Sequence, residues 1–242
     1  MDHPRRRIDE ATLVAALREI FDDLAAAVRE LRVDWESWRQ RIAAALQKKL
    51  EETALFAYLL WLSSEDVRRF VPGFQLSYPF TGAVGLSAPV ANYLAGRRFP
   101  AWANATQAGE NFAGWAWETA RTVATAMVQN LRRAYDRIRA AIANETASVD
   151  SLATLVKPQR AKMVAATEIT RSFQHGLDKA VEAFEAQHGR RIRKIWRTQK
   201  DERVCPICAP LDRQPSEDWE SRFPKGPPAH PVCRCYTSLE IL

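Results

Sequence analysis

The sequence predicts a mainly α-helical protein of long antiparallel helices, ending in a small α+β module in which a two-stranded antiparallel β unit surrounds a cysteine and histidine loop. Three observations predict it. Long stretches carry apolar residues at steps of three and four, the spacing at which one face of a helix recurs. After Gly189 that period shortens to the alternation of a strand. All four cysteines of the 242-residue chain then fall in its last forty residues, as Cys205-Pro206-Ile207-Cys208 and Cys233-Arg234-Cys235, with His230 three positions before Cys233.

From Asp9 to Leu31 the apolar residues Leu13, Leu17, Ile20, Leu24, Val28 and Leu31 form one stripe. A second helix is expected from Trp35 to Leu62, with Trp38, Ile42, Leu46, Leu50, Leu55, Leu59 and Leu62 buried, so that the two make an antiparallel hairpin. Between Val71 and Pro89 the pattern dissolves into Pro72-Gly73, Tyr78-Pro79, Thr81-Gly82 and Gly85, interleaved with Phe74 and Phe80. Residues at this density of Pro and Gly break helices, so 71–107 reads as an irregular excursion, either a partner-contact loop or a connector.

A third long helix is expected from Gly109 to Asn144, on Phe112, Ala116, Ala120, Val123, Met127, Leu131, Tyr135, Ile138 and Ile142. A polar turn near Ser148 and a short apolar segment, Leu152 to Val156, follow. The next helix opens at Pro158, whose missing N–H is harmless in a first turn, and stops at Gly189. Its seam is read as Ala166, Phe173 and Ala180 with Met163, Leu177 and Phe184 beside them, while Glu168 and Arg171 are spaced to pair across one turn. Residues 1–150 are thus read as a helical N-terminal region and 151–242 as a C-terminal module.

In that module Ile192 and Trp196 share one strand face, interrupted by Lys194, and Arg191, Arg193 and Arg197 line the other. Cys233, Cys235, Thr237, Leu239 and Ile241 repeat the alternation in the tail. Trp196 is expected to pack beneath the cysteine loop and anchor the strand to the helix that ends at Gly189.

Composition bounds the partners. With 47% apolar residues the chain can bury a substantial core, and with a net charge of +6 it favours acidic partners, nucleic acid first and an anionic surface second. Residues 190–242 hold eleven Lys and Arg against seven Asp and Glu, so most of that excess sits near the cysteines. No stretch approaches the roughly twenty apolar residues that cross a bilayer, so no membrane is expected among the partners. The start, Met-Asp-His-Pro-Arg-Arg-Arg, lacks the apolar core of a secretory signal. Synthesis in a reducing cytoplasm is the expectation, and there clustered thiols point to a metal before disulfides.

A Cys-x-x-Cys turn aims two sulfurs at one point, and two cysteines two apart on an extended chain leave from the same face. Cys205, Cys208, Cys233 and Cys235 are therefore the expected ligands of a structural zinc ion, with His230 as a substitute or an outer hydrogen-bond donor; paired disulfides or idle thiols are the alternatives.

The string Trp196-Arg197-Thr198, Asp201, Arg203-Val204-Cys205-Pro206-Ile207-Cys208, Leu211-Asp212 and Pro227-Pro228-Ala229-His230-Pro231-Val232-Cys233-Arg234-Cys235 resembles the C-terminal signature of the phage head morphogenesis family, the Mu F-like minor head proteins. Upstream, Arg160-Ala161, Ala165 to Glu168 and Arg171, followed by Gly176, resemble the family's Arg-Ala-x-x-Ile-Ala-x-Thr-Glu-x-x-Arg helix. The resemblance covers about residues 150–238. It departs at Leu211-Asp212-Arg213, where the family has Leu-Asp-Gly, which puts the conformation of that loop in question.

The resemblance implies a minor structural component of a tailed-phage or prophage head, inside the capsid near the portal, present in the host cytoplasm during assembly, with the portal protein, the major capsid protein or scaffold, and double-stranded DNA as partners. No enzymatic activity is expected. Arg191, Arg193, Lys194 and Arg197 are the candidate DNA contacts, against the plainer reading of a solvated strand face. The rival readings are a zinc-stabilised nucleic-acid-binding protein and a nuclease, both acting in the host cytoplasm. A nuclease wants histidines and carboxylates around a metal with an open position, and this chain offers only His3, His175, His188 and His230. Some Mu F-like modules are fused to toxin domains; with seven residues after Cys235, none is expected to follow here.

Overall fold

The computed structural model describes residues 4–71, 74–75, 91–92, 94, 97, 99–100, 102–103, 105–202 and 204–242. The helices are α1 (Pro4–Arg29), α2 (Trp35–Leu62), α3 (Glu65–Phe70), α4 (Ala105–Ala143), α5 (Pro158–His188) and α6 (Ser216–Trp219). Short 3-10 turns occupy Val149–Thr154 and Ala209–Leu211. The strands β1 (Phe74–Gln75) and β2 (Phe99–Pro100) pair with each other, as do β3 (Ile192–Arg197) and β4 (Tyr236–Ile241), both pairs antiparallel. The mainly helical class with a small C-terminal two-stranded sheet is as the sequence predicts.

Local chemistry sets the helix ends. At the end of α1, Leu31 turns left-handed (φ 57°) while Arg32 N bonds Ala27 O and Leu31 N bonds Val28 O. This pair of bonds satisfies carbonyls that a helix end would otherwise orphan. Asp34 then caps α2, its Oδ1 accepting from the amides of Glu36 and Ser37. α5 opens with proline in its first turn and closes on Gly189 in the left-handed conformation, as read. The short helix α3 was not anticipated; Ser64 caps it, with acids in its first turn and Arg68 and Arg69 in its last, which suits the helix dipole.

α2 packs against α4, α5 and α1, and α1 lies on α5 as well. Its first half follows the predicted stripe, burying Trp38, Ile42, Leu46 and Leu50 against Leu13, Leu17 and Leu24 of α1, Ala120 and Ala124 of α4, and Ala161, Ala165 and Ile169 of α5. Its second half is buried almost all round, Thr53, Ala54, Phe56, Ala57, Tyr58 and Trp61 joining Leu55, Leu59 and Leu62. These residues meet Phe112 of α4 and Phe173, Leu177 and Phe184 of α5, together with Leu94 and Phe99. A helix enclosed on every side shows no single stripe.

Two predicted core positions are corrected. Leu31 is half exposed because it lies beyond the helix in the turn, and Met163 is 46% exposed because the buried face of α5 runs through Ala161, Ala165 and Ile169 instead. Most of the excursion read over 71–107 lies outside the described residues, including Pro72, Gly73, Tyr78, Phe80, Thr81, Gly82 and Gly85.

Polar groups also enter the core. Asp9 and Glu52 are buried, and Lys49 Nζ reaches Glu52 at 2.6 Å and Asp9 at 3.4 Å. Gly176 marks a close helix crossing: a Cβ there would stand 2.0 Å from the carbonyl oxygen of Ala54. No described helix is long and apolar enough to cross a membrane.

Candidate metal centre

Two tight turns bring the donors together. In the first, the amides of Cys208 and Ala209 both bond Cys205 O, at 3.0 and 2.9 Å, which folds Cys205 and Cys208 onto one side. In the second, Cys233 N bonds His230 O at 3.1 Å, and Val232 between them is left-handed with φ 64°. A β-branched residue pays for that conformation with strain, so something else must hold it. Its amide donates to Thr167 Oγ1 at 2.9 Å.

The four cysteines are free thiols, Cys208, Cys233 and Cys235 buried and Cys205 half-buried. His230 Nε2 lies 2.9 Å from Cys205 Sγ and 3.3 Å from Cys208 Sγ, and Cys208 Sγ lies 3.8 Å from Cys233 Sγ. A disulfide needs sulfurs near 2.05 Å, so this last pair is not crosslinked. A tetrahedral zinc ion with Zn–S bonds of about 2.3 Å separates two sulfurs by about 3.8 Å, and a sulfur from an imidazole nitrogen by about 3.5 Å. The Cys208–Cys233 edge has that length, and His230 Nε2 stands somewhat closer to its two sulfurs than a bound ion would set it. Cys205, Cys208 and His230 form one set of neighbouring donors and Cys208, Cys233 and Cys235 another, sharing Cys208, and all five line a cavity of about 20 Å³. Such a space suits a single ion.

The histidine is set to coordinate. Its Nδ1 donates to Pro231 O at 2.8 Å, which leaves the lone pair on Nε2 facing the sulfurs. Burial disfavours its protonation, but the Pro231 carbonyl and the neighbouring Cys233 and Cys205 outweigh that and raise its pKa. Among the thiols, hydrogen bonds to Cys233 and Cys235, with burial, raise Cys208, whereas Cys233 receives bonds from Cys208 and Cys235 and is lowered. The cluster can therefore hold shared protons that a cation would displace.

Trp196 lies fully buried beneath the loop, in one cluster with Cys208, Cys233, Cys235 and Trp219, its ring edge-to-face with Trp219 at 5.2 Å. Trp219 Nε1 donates to Gln214 O at 3.0 Å. Opposite Trp196 stands Thr237, and Ile192 pairs with Ile241, so the buried strand faces read from the sequence meet across the hairpin. The strand itself starts at Tyr236, however, and Cys233 and Cys235 belong to the turn before it.

The predicted Glu168 and Arg171 pair forms at 2.5 Å, with Glu168 5% exposed and its carboxyl pushed up by burial. Of the basic positions, Lys194 Nζ is 2.8 Å from Asp178, and Arg193 reaches Glu217 at 3.4 Å and Glu240 at 3.8 Å. Arg197 donates to Ser238 Oγ, and Arg191 is exposed. Arg213, where the resemblance expects glycine, adopts φ 67°, a left-handed conformation that glycine takes more readily. Its amide bonds Trp196 O at 2.8 Å and Trp196 N bonds Gln214 O at 2.8 Å, which ties the loop to β3.

Sequence reasoning missed a polar row on α5. Besides Thr167, Thr170 Oγ1 lies 2.8 Å from Cys233 O, Gln174 Oε1 accepts from Thr237 Oγ1 at 3.0 Å, and Asp178 takes Lys194. Positions 167, 170, 174 and 178 recur at steps of three and four, the same period used for apolar stripes.

Fold and site define a class: a helical body carrying a cysteine and histidine cluster in the loop of a β-hairpin docked to α5. The family described as Phage Mu protein F like protein matches residues 101–238, more than half the chain, and the protein belongs to that family. The match reaches upstream of residue 150, into α4. No curated protein and no solved structure matches the chain.

Proposed function

We propose that this protein is a minor structural component of a tailed-phage or prophage head, acting in capsid assembly near the portal, and that its cysteine and histidine centre holds one structural zinc ion. Family membership over residues 101–238 carries the first part. The donor set supports the second, because clustered thiol and imidazole side chains suit zinc above harder ions. Bound, the ion would crosslink the two ends of the 24-residue segment between Cys208 and Cys233.

A structural role fits this donor set better than a catalytic one. Catalytic zinc keeps a position open for water, whereas five donors here crowd a space of about 20 Å³. Contact with packaged DNA would draw on Arg191 and Arg197, since Arg193 and Lys194 are already ion-paired. The portal, the major capsid protein and the scaffold are the partners the family suggests. Co-expression with the cognate portal and scaffold should place the protein inside procapsids; a free cytosolic nuclease activity that survives purification would overturn the reading.

A further inference from the structure

The segment bearing Cys233 and Cys235 is fastened by two side chains that lie far from it in sequence. Thr170, 2% exposed on α5, shares its one hydroxyl proton between Ala166 O at 2.7 Å and Cys233 O at 2.8 Å. Its lone pairs remain to accept, and Arg6 Nη2 donates to one of them. Arg6, 4% exposed in the first turns of α1, also directs Nη1 to Cys235 O at 3.4 Å. The carbonyls of both late candidate ligands are thus held by one buried pair.

A dication with four thiolates carries a net charge of minus two, and with three thiolates and a neutral imidazole minus one, so a bound centre would attract the Arg6 guanidinium beside it. Fixing the carbonyl of a ligand residue also fixes the direction of its Cα–Cβ bond, and so where the sulfur points. Side chains one step beyond the ligands commonly govern affinity in this way.

We propose that Arg6 and Thr170 are positioning residues of the metal centre, and that through them metal occupancy and docking of the first turns of α1 stabilise each other. This rests on the metal reading above. Coupling of this kind is reciprocal: whatever α1 docking contributes to metal affinity, metal binding returns to α1.

The test uses full-length protein with Co²⁺ as the probe, its thiolate charge-transfer and d–d absorption reporting tetrahedral sulfur coordination. Thr170→Val, which keeps the shape and removes the hydroxyl, should weaken Co²⁺ binding about tenfold in competition with a chelator, and Thr170→Ser should restore it. Arg6→Gln should weaken it likewise. In the wild type, adding Co²⁺ should slow amide hydrogen exchange over residues 8–14, an arm that needs no variant to fold. Affinities within twofold of wild type for both weakening variants, together with exchange in α1 indifferent to Co²⁺, would overturn the coupling and leave the centre standing. A folded wild type that binds no Co²⁺ would remove the centre and the proposal together.

Discussion

Replacing Gly176 by alanine should destabilise the protein, although alanine is the better residue in mid-helix. The intrinsic preference favours the substitution by about 0.8–1 kcal/mol. The crossing opposes it, since the new Cβ would stand 2.0 Å from Ala54 O and 2.9 Å from Ala57 Cβ. Non-bonded contacts want about 3.5 Å, so α5 and α2 would have to part by more than an ångström where both are buried. A clash this close lies toward the upper end of overpacking costs, about 2–3 kcal/mol, leaving a net loss of roughly 1–2 kcal/mol. For a chain of this size that lowers the melting temperature by about 2–8 °C. Gly114→Ala in α4 is the matched control: nothing lies within 4 Å of its added Cβ, so only the gain of up to about 1 kcal/mol remains. Urea denaturation of both variants reads the signs. A Gly176→Ala protein as stable as wild type would refute the close crossing, and with it the position of the helix on which the metal module is docked.

Arg213 is 70% exposed and left-handed, so Arg213→Gly should relieve a backbone cost of about 1–2 kcal/mol against about 0.5–1 kcal/mol of added chain entropy. A rise in the urea midpoint is expected; a fall would show that its side chain holds the turn. His175 stacks on Trp115 at 4.1 Å, and burial, with Lys179 adding to it, lowers its pKa to about 4. Imidazole NMR should find it still neutral at pH 5, and a midpoint near 6.5 would contradict its burial. Because the folded pKa is the depressed one, this group's stabilisation is present above the unfolded value and lost as pH falls from about 6.5 to about 4. Glu168 and Asp178, both raised by burial, act in the opposite sense, so the site-specific titration is the measurement to make.

Much of this was legible in the sequence because the signals were local. The span of α2, the proline at the start of α5 and the glycine at its end each depend on neighbours a turn away, and all are found where they were read. The gathering of the four cysteines and His230 was legible because the chemistry of thiols and imidazole restricts what such spacing is for. What was missed depends on distant partners. Thr53, Phe56 and Tyr58 are buried because α4 and α5 close on α2 from two sides, and no periodicity in α2 alone records that. Thr167, Thr170 and Gln174 looked like ordinary polar helix positions, since the groups they bind, the Val232 amide, the Cys233 carbonyl and the Thr237 hydroxyl, lie more than sixty residues on. Arg6 meets Thr170 across 164 residues, a contact only the folded chain creates.

The claim that four of the five C-terminal donors close round a single ion is tested most directly by metal analysis of protein purified without added zinc. About one equivalent of zinc per chain is predicted, and a strong chelator should unfold residues 190–242 before the helices, as followed by hydrogen exchange. Metal-free protein whose four cysteines all react with an alkylating agent in the native state, or are found paired as two disulfides, would contradict it.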